Sequence, residues 1–207
     1  MTTTSHSVTD RRLLTCGLLA GPMLIGVGLV QVLTRDGFDL DRHALSQLSL
    51  GRWGFVQIIN FLVTGVLVIA AARGLRGVPG MVWGSRLLAG FGAGMLIAGV
   101  FPADPAYGFP AGTPDELGPL SWHGVLHSAG FMVAMVSWAA AMIVLARAFI
   151  RRGDRGQAAV CGVALVTAAG VIMAPALGSF GLRAIVVSAV QLAAVALLCA
   201  KALASHR

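Results

Sequence analysis

Six apolar stretches, each close to the length that crosses a bilayer, leave this chain few ways to fold. They cover residues 13–33, 53–72, 83–101, 122–145, 157–174 and 181–202. A hydrocarbon core about 30 Å thick takes roughly 17 to 25 residues of helix to cross. No water is present there to pair with N–H and C=O groups, so each stretch must satisfy its own backbone, as a helix and not as a strand. The expected fold is all-α: a polytopic integral membrane protein with one domain over residues 1–207, built as a six-transmembrane-helix bundle.

Composition agrees. Of 207 residues, 57% are hydrophobic and only 11% charged, against about a quarter charged in a soluble domain, whose surface must face water. Arg11 and Arg12 precede the first apolar run as they would in a signal peptide. That run is long enough to span, and no A-x-A cleavage site follows it, so it reads as a retained helix. The fifth segment is closed by Pro175, and Gly178 and Gly181 leave room only for a tight turn before the sixth.

A net charge of +7 would suggest nucleic acid in a soluble protein. Here its distribution points to orientation and to no nucleic-acid partner. With the N-terminus inside, eleven of the fifteen Lys and Arg residues fall on the inner side and four (Arg35, Arg42, Arg52 and Arg183) on the outer side. Basic residues are retained on the cytoplasmic face, so the expectation is a bacterial inner-membrane protein with both termini cytoplasmic. Cys16, Cys161 and Cys199 stand singly, with no Cys/His spacing for a thiolate metal site. Gly17 and Gly21, and Gly90, Gly94 and Ala98, form small-residue stripes that let helices approach closely. Pro22 removes a backbone donor inside the first helix. Gln57 and Asn60 share a face of the second helix, where intramembrane amides join helices.

Chemistry concentrates on the outer side. Apart from His6 and His206 in the tails, every histidine lies there. His123 and His127 are four apart at the start of the fourth helix, so their rings share one face. Two such imidazoles and a third ligand from elsewhere are the geometry of a zinc site. His43 and Asp104 are the third-ligand candidates, and Ser46, three residues after His43, shares its face if that segment is helical. Zinc held by His123, His127, His43 and Asp104 would lower the pKa of a bound water, with Asp104 and Ser46 as catalytic groups. Each residue also has a plainer role: interfacial hydrogen bonding for the histidines, a turn at Asp104-Pro105, a local back-bond for Ser46. A helix N-terminus also repels a cation. Residues 102–121, with five prolines, three glycines and no Lys or Arg, are expected to form an ordered cap in which Tyr107 and Phe109 dock on the bundle.

These two outer segments resemble a bacterial membrane family catalogued as domain of unknown function 998. The resemblance rests on His43-Ala44-Leu45-Ser46, on Leu50-Gly51-Arg52-Trp53-Gly54-Phe55-Val56-Gln57 with Asn60-Phe61, on Gly99-Val100-Phe101 before Asp104-Pro105, on Gly108-Phe109-Pro110 and Gly112-Thr113-Pro114, and on His123 and His127. It covers nearly the whole chain and implies a six-helix membrane protein, with no activity attached. In residue types alone, the set is similar to the membrane hydrolases that include alkaline ceramidases and adiponectin-type receptors, which combine Ser, Asp, a lone His and an HxxxH pair around zinc. Those have seven helices, and their HxxxH lies in the last one.

Three function classes follow. One is a metal-dependent hydrolase acting on a lipid or amide at the outer leaflet. The second is a non-catalytic transporter or a protein that binds membrane lipids, ions or a small molecule at the outer polar cluster. The third is a haem-bearing redox protein with axial ligands such as His43 and His127, disfavoured because its histidines lie near one surface.

Overall fold

The computed structural model describes residues 8–205, so His6, His206 and Arg207 lie outside the described residues. Six helices follow in order: α1 (Val8–Thr34), α2 (Gly54–Leu75), α3 (Val82–Val100), α4 (Trp122–Arg151), α5 (Arg155–Met173) and α6 (Phe180–Ala204). All six are long and apolar enough to span a membrane, and the chain is a multi-pass membrane protein. Each matches one of the six apolar stretches, with Trp53, Phe101 and Ala174 falling just outside α2, α3 and α5. The main difference is α4, whose 30 residues run past the apolar stretch to carry Arg147 and Arg151.

The helices pack in chain order, and α6 closes the ring onto α1. Residues 35–53, 101–121 and 174–179 gather at one end, here the capped end, where short 3-10 turns at Leu45–Ser49 and Pro175–Leu177 interrupt the links. At the opposite, basic end the Arg152 guanidinium donates to the Pro79 carbonyl and ties the two short links together. Large apolar side chains such as Leu33, Val136, Val163 and Val166 stay exposed around the outside, as lipid-facing residues must. Leu14, Val68, Leu88, Trp138 and Met142 fill the centre.

Hydrocarbon gives no hydrophobic drive for helix pairing, so contact must come from close packing and hydrogen bonds. Glycine supplies the first. A Cβ on Gly94 would stand 2.4 Å from Ala134 N and 2.5 Å from Gly130 O, and one on Gly130 would stand 2.8 Å from Ala98 N. Backbone therefore touches backbone where α3 meets α4. Amides supply the second. Gln31 Nε2 donates to Gln57 Oε1 over 2.7 Å, and Asn60 Nδ2 donates to Leu24 O over 3.1 Å. These bonds join α2 to α1, the role expected of Gln57 and Asn60.

A side chain at the α3–α4 contact has nowhere to go. Gly94→Val or Gly130→Val should destabilise the protein by about 1–3 kcal/mol or more, as overpacking does. Gly26→Ala, with no atom within 4 Å of its added Cβ, should not destabilise it, since alanine is the better helix former. Thermal unfolding midpoints of the three variants in one detergent check this.

Candidate functional site: a cavity beneath the capped end

The cap is assembled around His43. The Asp39 N–H donates to His43 Nδ1 over 2.8 Å, so the ring hydrogen sits on Nε2, which lies 3.0 Å from the Tyr107 carbonyl and donates to it. Both ring nitrogens are thus engaged, and the residue is 2% exposed. Its ring packs with Phe38 and Phe109, all three centroid pairs being 5.3 Å apart. Tyr107 (φ 54°) and Gly108 (φ 82°) are both left-handed, and they form a two-residue turn in which Ala106 and Phe109 exchange backbone hydrogen bonds. That geometry costs a non-glycine residue about 1–2 kcal/mol; the His43 bond to its carbonyl and the burial of Phe109 offset it.

Other side chains fasten the same layer. Gln47 Oε1 accepts from Ala44 N over 2.9 Å, and Gln47 Nε2 donates to Ala106 O over 3.4 Å. Arg35 donates to the carbonyls of Leu48 and Leu50 and stands 5.6 Å from the Phe109 ring centroid. Partial burial lowers the pKa of its guanidinium. An Arg42–Asp115 ion pair closes the rim. Residues 102–121 are folded back on themselves, with Tyr107 N donating to Glu116 O and Gly108 N to Pro114 O. Of the two aromatic residues expected to dock, Phe109 is buried and Tyr107 remains exposed.

Asp104 belongs to the start of α4. Its Oδ2 accepts from Ser121 N over 2.9 Å, and its Oδ1 accepts from Ser121 Oγ over 2.5 Å. Ser121 is itself the N-cap, accepting from Gly124 N over 3.1 Å, and a carboxylate is favoured at that positive helix end. Only glycine fits at position 124, where a Cβ would fall 1.8 Å from Asp104 Oδ2. His123 Nδ1 lies 3.2 Å from Pro102 O and 3.6 Å from Asp104 Oδ1, with its ring against Trp122. One turn deeper, His127 Nδ1 lies 3.0 Å from Ala98 O and 2.9 Å from Phe101 O, at the C-terminal end of α3. Two carbonyl acceptors require the hydrogen on Nδ1. Nε2 of the neutral ring is then an acceptor, and it has no hydrogen-bond partner among the described residues.

Beneath the cap lies a cavity of about 430 Å³, within the 300–1,000 Å³ of small-molecule sites. Ser46, Gln47, Asp104, His127 and Ser128 line its capped end; Phe91, Met95, Phe131, Met132 and Met135 make it apolar further in. On α4 its lining runs over residues 124–135 and on α6 over residues 180–191, about 17 Å of helix in each case. Its floor is the contact between these helices: Trp138 Nε1 donates to Gln191 O over 3.3 Å, and Gln191 Nε2 to Met135 Sδ over 3.3 Å. Gln191 Oε1 is buried there without a hydrogen-bond partner.

Three of the five expected site residues, Ser46, Asp104 and His127, therefore line one cavity, and His43 and His123 do not. His43 ends before the 3-10 turn and faces the aromatic layer, so it shares no helical face with Ser46. The hydroxyl that back-bonds in this turn is that of Ser49, to Ser46 O. Among the described residues no three His, Cys, Asp or Glu side chains form a group able to hold a metal ion. The expected set of His123, His127, His43 and Asp104 is divided because His43 is engaged at both nitrogens and His123 lies a turn above His127. An axial pairing of His43 with His127 meets the same obstacle. Sequence reasoning passed over Ser121, whose place before an apolar helix is an N-cap signal, and Gln191, a lone amide in an apolar run.

Fold and site together define a multi-pass membrane protein with a capped, largely apolar cavity. Residues 18–201 match a family model described as protein of unknown function (DUF998), and the chain belongs to that family. No curated protein and no solved structure matches it.

If His43 is the latch of the cap, His43→Ala should speed protease cleavage within residues 102–121 and lower the thermal midpoint, while the helix content persists. Mass mapping of limited digests reads the first effect. Cleavage there at the parental rate would show that the latch does not hold the cap.

Proposed function

We propose that this protein binds a small amphiphile in the cavity, with the chain inward and a hydrogen-bond donor on its head meeting His127 Nε2. One observation carries the reading: His127 is held by Nδ1 and 9% exposed, yet its other nitrogen is unpartnered at the polar end of an apolar cavity. An anchored imidazole with a free acceptor is a preorganised contact, because the ligand need not order it. Ser46 and Asp104 add polar contacts at the same level, and the apolar walls take the chain.

The capped end is proposed to face the outside of a bacterial inner membrane. Arg35, Arg42, Arg52 and Arg183 alone among the described Lys and Arg residues belong to that end, and basic residues concentrate on the cytoplasmic side. Reporter tags at either terminus should then signal cytoplasm, and one inserted within residues 106–118 should signal the outside. A reversed pattern would put the cavity in the inner leaflet.

A second reading is hydrolysis of an ester or amide in the bound amphiphile. It is favoured by the presence of Ser46 on the same cavity as a histidine oriented through Nδ1, the arrangement a general base requires. In that case His127 Nε2 takes the Ser46 hydroxyl proton as the oxygen attacks the carbonyl, and gives it to the leaving group. A water then attacks the acyl-Ser46 ester, its proton passing through His127 Nε2 back to Ser46 Oγ as the acid leaves. Turnover of an ester amphiphile that His127→Gln and Ser46→Ala both abolish would favour hydrolysis over binding alone.

Binding is tested with a brominated alcohol, since bromine quenches tryptophan at short range and Trp138 lies just behind the floor, bonded to the lining residue Gln191. A protein with Trp53, Trp83 and Trp122 changed to Phe keeps Trp138 as its sole tryptophan, excited selectively at wavelengths that Tyr107 does not absorb. Its emission should be quenched saturably by 11-bromoundecanol. Referred to the free concentration in water, shorter homologues should bind about fourfold more weakly per methylene lost, from about 0.8 kcal/mol per buried CH₂. His127→Phe should weaken binding roughly fivefold, from about 1 kcal/mol for one hydrogen bond. Quenching that never saturates, or that ignores position 127, would overturn the reading.

A further inference from the structure

We infer that the cavity opens sideways into the bilayer between α4 and α6, and that its occupant is one alkyl chain of a membrane lipid in the leaflet at the capped end. This rests on the binding reading above and names its ligand class. In the ring, α5 stands between α4 and α6. Yet among the described residues none from α5 or from the 174–179 link lines the cavity.

Helix length explains the gap. At the basic end α4 finishes and α5 begins, joined by a three-residue link, but α4 has 30 residues and α5 has 19. Pro175 follows just beyond the end of α5, where its missing N–H stops a helix from continuing. The eleven residues by which α5 falls short amount to about 17 Å, level with residues 122–132 of α4, and most of the cavity lining on that helix falls there. Half of a hydrocarbon core is about 15 Å, so the slot is one leaflet deep. Its lower limit is the Trp138–Gln191 contact, the deep tie between α4 and α6.

Exposure marks the opening. Met132 on α4 and Phe180 on α6 both line the cavity, yet they are 56% and 50% exposed. Leu117 and Leu120 of the cap also line it, at 65% and 60% exposed. A side chain that borders the cavity and the outer surface at once stands at a mouth. These four are apolar, and the exposed lining residues Tyr107 and Ser128 add hydroxyls towards the capped end. Most of the mouth is therefore matched to hydrocarbon, and its polar part lies at headgroup level. Polar side chains lie where a headgroup would sit, with Ser46, Asp104 and His127 at the capped end, and the walls below are apolar. The occupant is thus a lipid whose chain slides in laterally while its head stays at the interface. Gln191 Oε1, buried and unpartnered at the floor, is a poor neighbour for a chain tip and limits the length admitted.

The test uses the 207-residue chain with Trp138 as sole tryptophan, in nanodiscs of phosphatidylglycerol brominated in mid-chain, a lipid whose head hydroxyls can donate to His127. Trp138 should be quenched relative to discs of the unbrominated lipid. Ala184→Phe, which fills the slot from the α6 side, should remove that quenching down to the level given by lipids around the bundle. If Ala184→Phe does not fold, Ser188→Leu fills the same slot one turn deeper and is read in the same way. Equal quenching with and without the plug, while 11-bromoundecanol still binds saturably, would overturn the lateral mouth and leave the binding site standing. Absence of alcohol binding as well would overturn both.

Discussion

Backbone against backbone at Gly94 and Gly130 is the contact from which the rest of the architecture follows. In hydrocarbon, apolar side chains gain nothing by leaving lipid for protein, so helices hold together where they can approach closely or share hydrogen bonds. The α3–α4 contact meets the first condition and the α1–α2 amides meet the second. On its other side, in the capped half, α4 lacks such a partner. It reaches α6 through Trp138 and Gln191, and from there towards the cap the two helices stand apart. Gly94 belongs at once to the tight contact and to the cavity lining. The packing that holds the bundle thus also sets one wall of the site.

The cap turns that space into a site with two ends. Its layer of His43, Phe38 and Phe109 is fixed largely by bonds to backbone atoms: Asp39 N, Tyr107 O, Ala106 O, Leu48 O and Leu50 O. Such bonds hold a loop over an apolar cavity without placing a charge inside it. His127 is fixed in a comparable way, through carbonyls that the C-terminal end of α3 leaves free, and Asp104 through the N-cap of α4. The ends of two helices therefore orient the two groups that give the cavity its polar end.

How much of this was legible in the sequence depends on which atoms carry each feature. The six helices were legible because apolar length is written in side chains, and so was the bridging role of Gln57 and Asn60. Ser46, Asp104 and His127 could be singled out as polar residues of one end. The role of His43 could not, because its partners are a backbone N–H and the carbonyl of a left-handed Tyr107, neither of which leaves a side-chain signal. His123 and His127 share a helical face, but four residues are about 6 Å along the axis. That rise is enough to leave one ring near Pro102 above the cavity and the other within it. The cavity itself is a shortfall of helix, and it appears only when the length of α5 is set beside that of α4.

The central claim is that a membrane lipid occupies the slot between α4 and α6 with its head at His127. A cryo-EM reconstruction in lipid nanodiscs, with a rigid binder added for size, tests it most directly. The account predicts rod-shaped density entering between Met132 and Ala184, with its polar end within hydrogen-bonding reach of His127 Nε2. A slot closed by α5, or an open one with no density along it, would contradict the account.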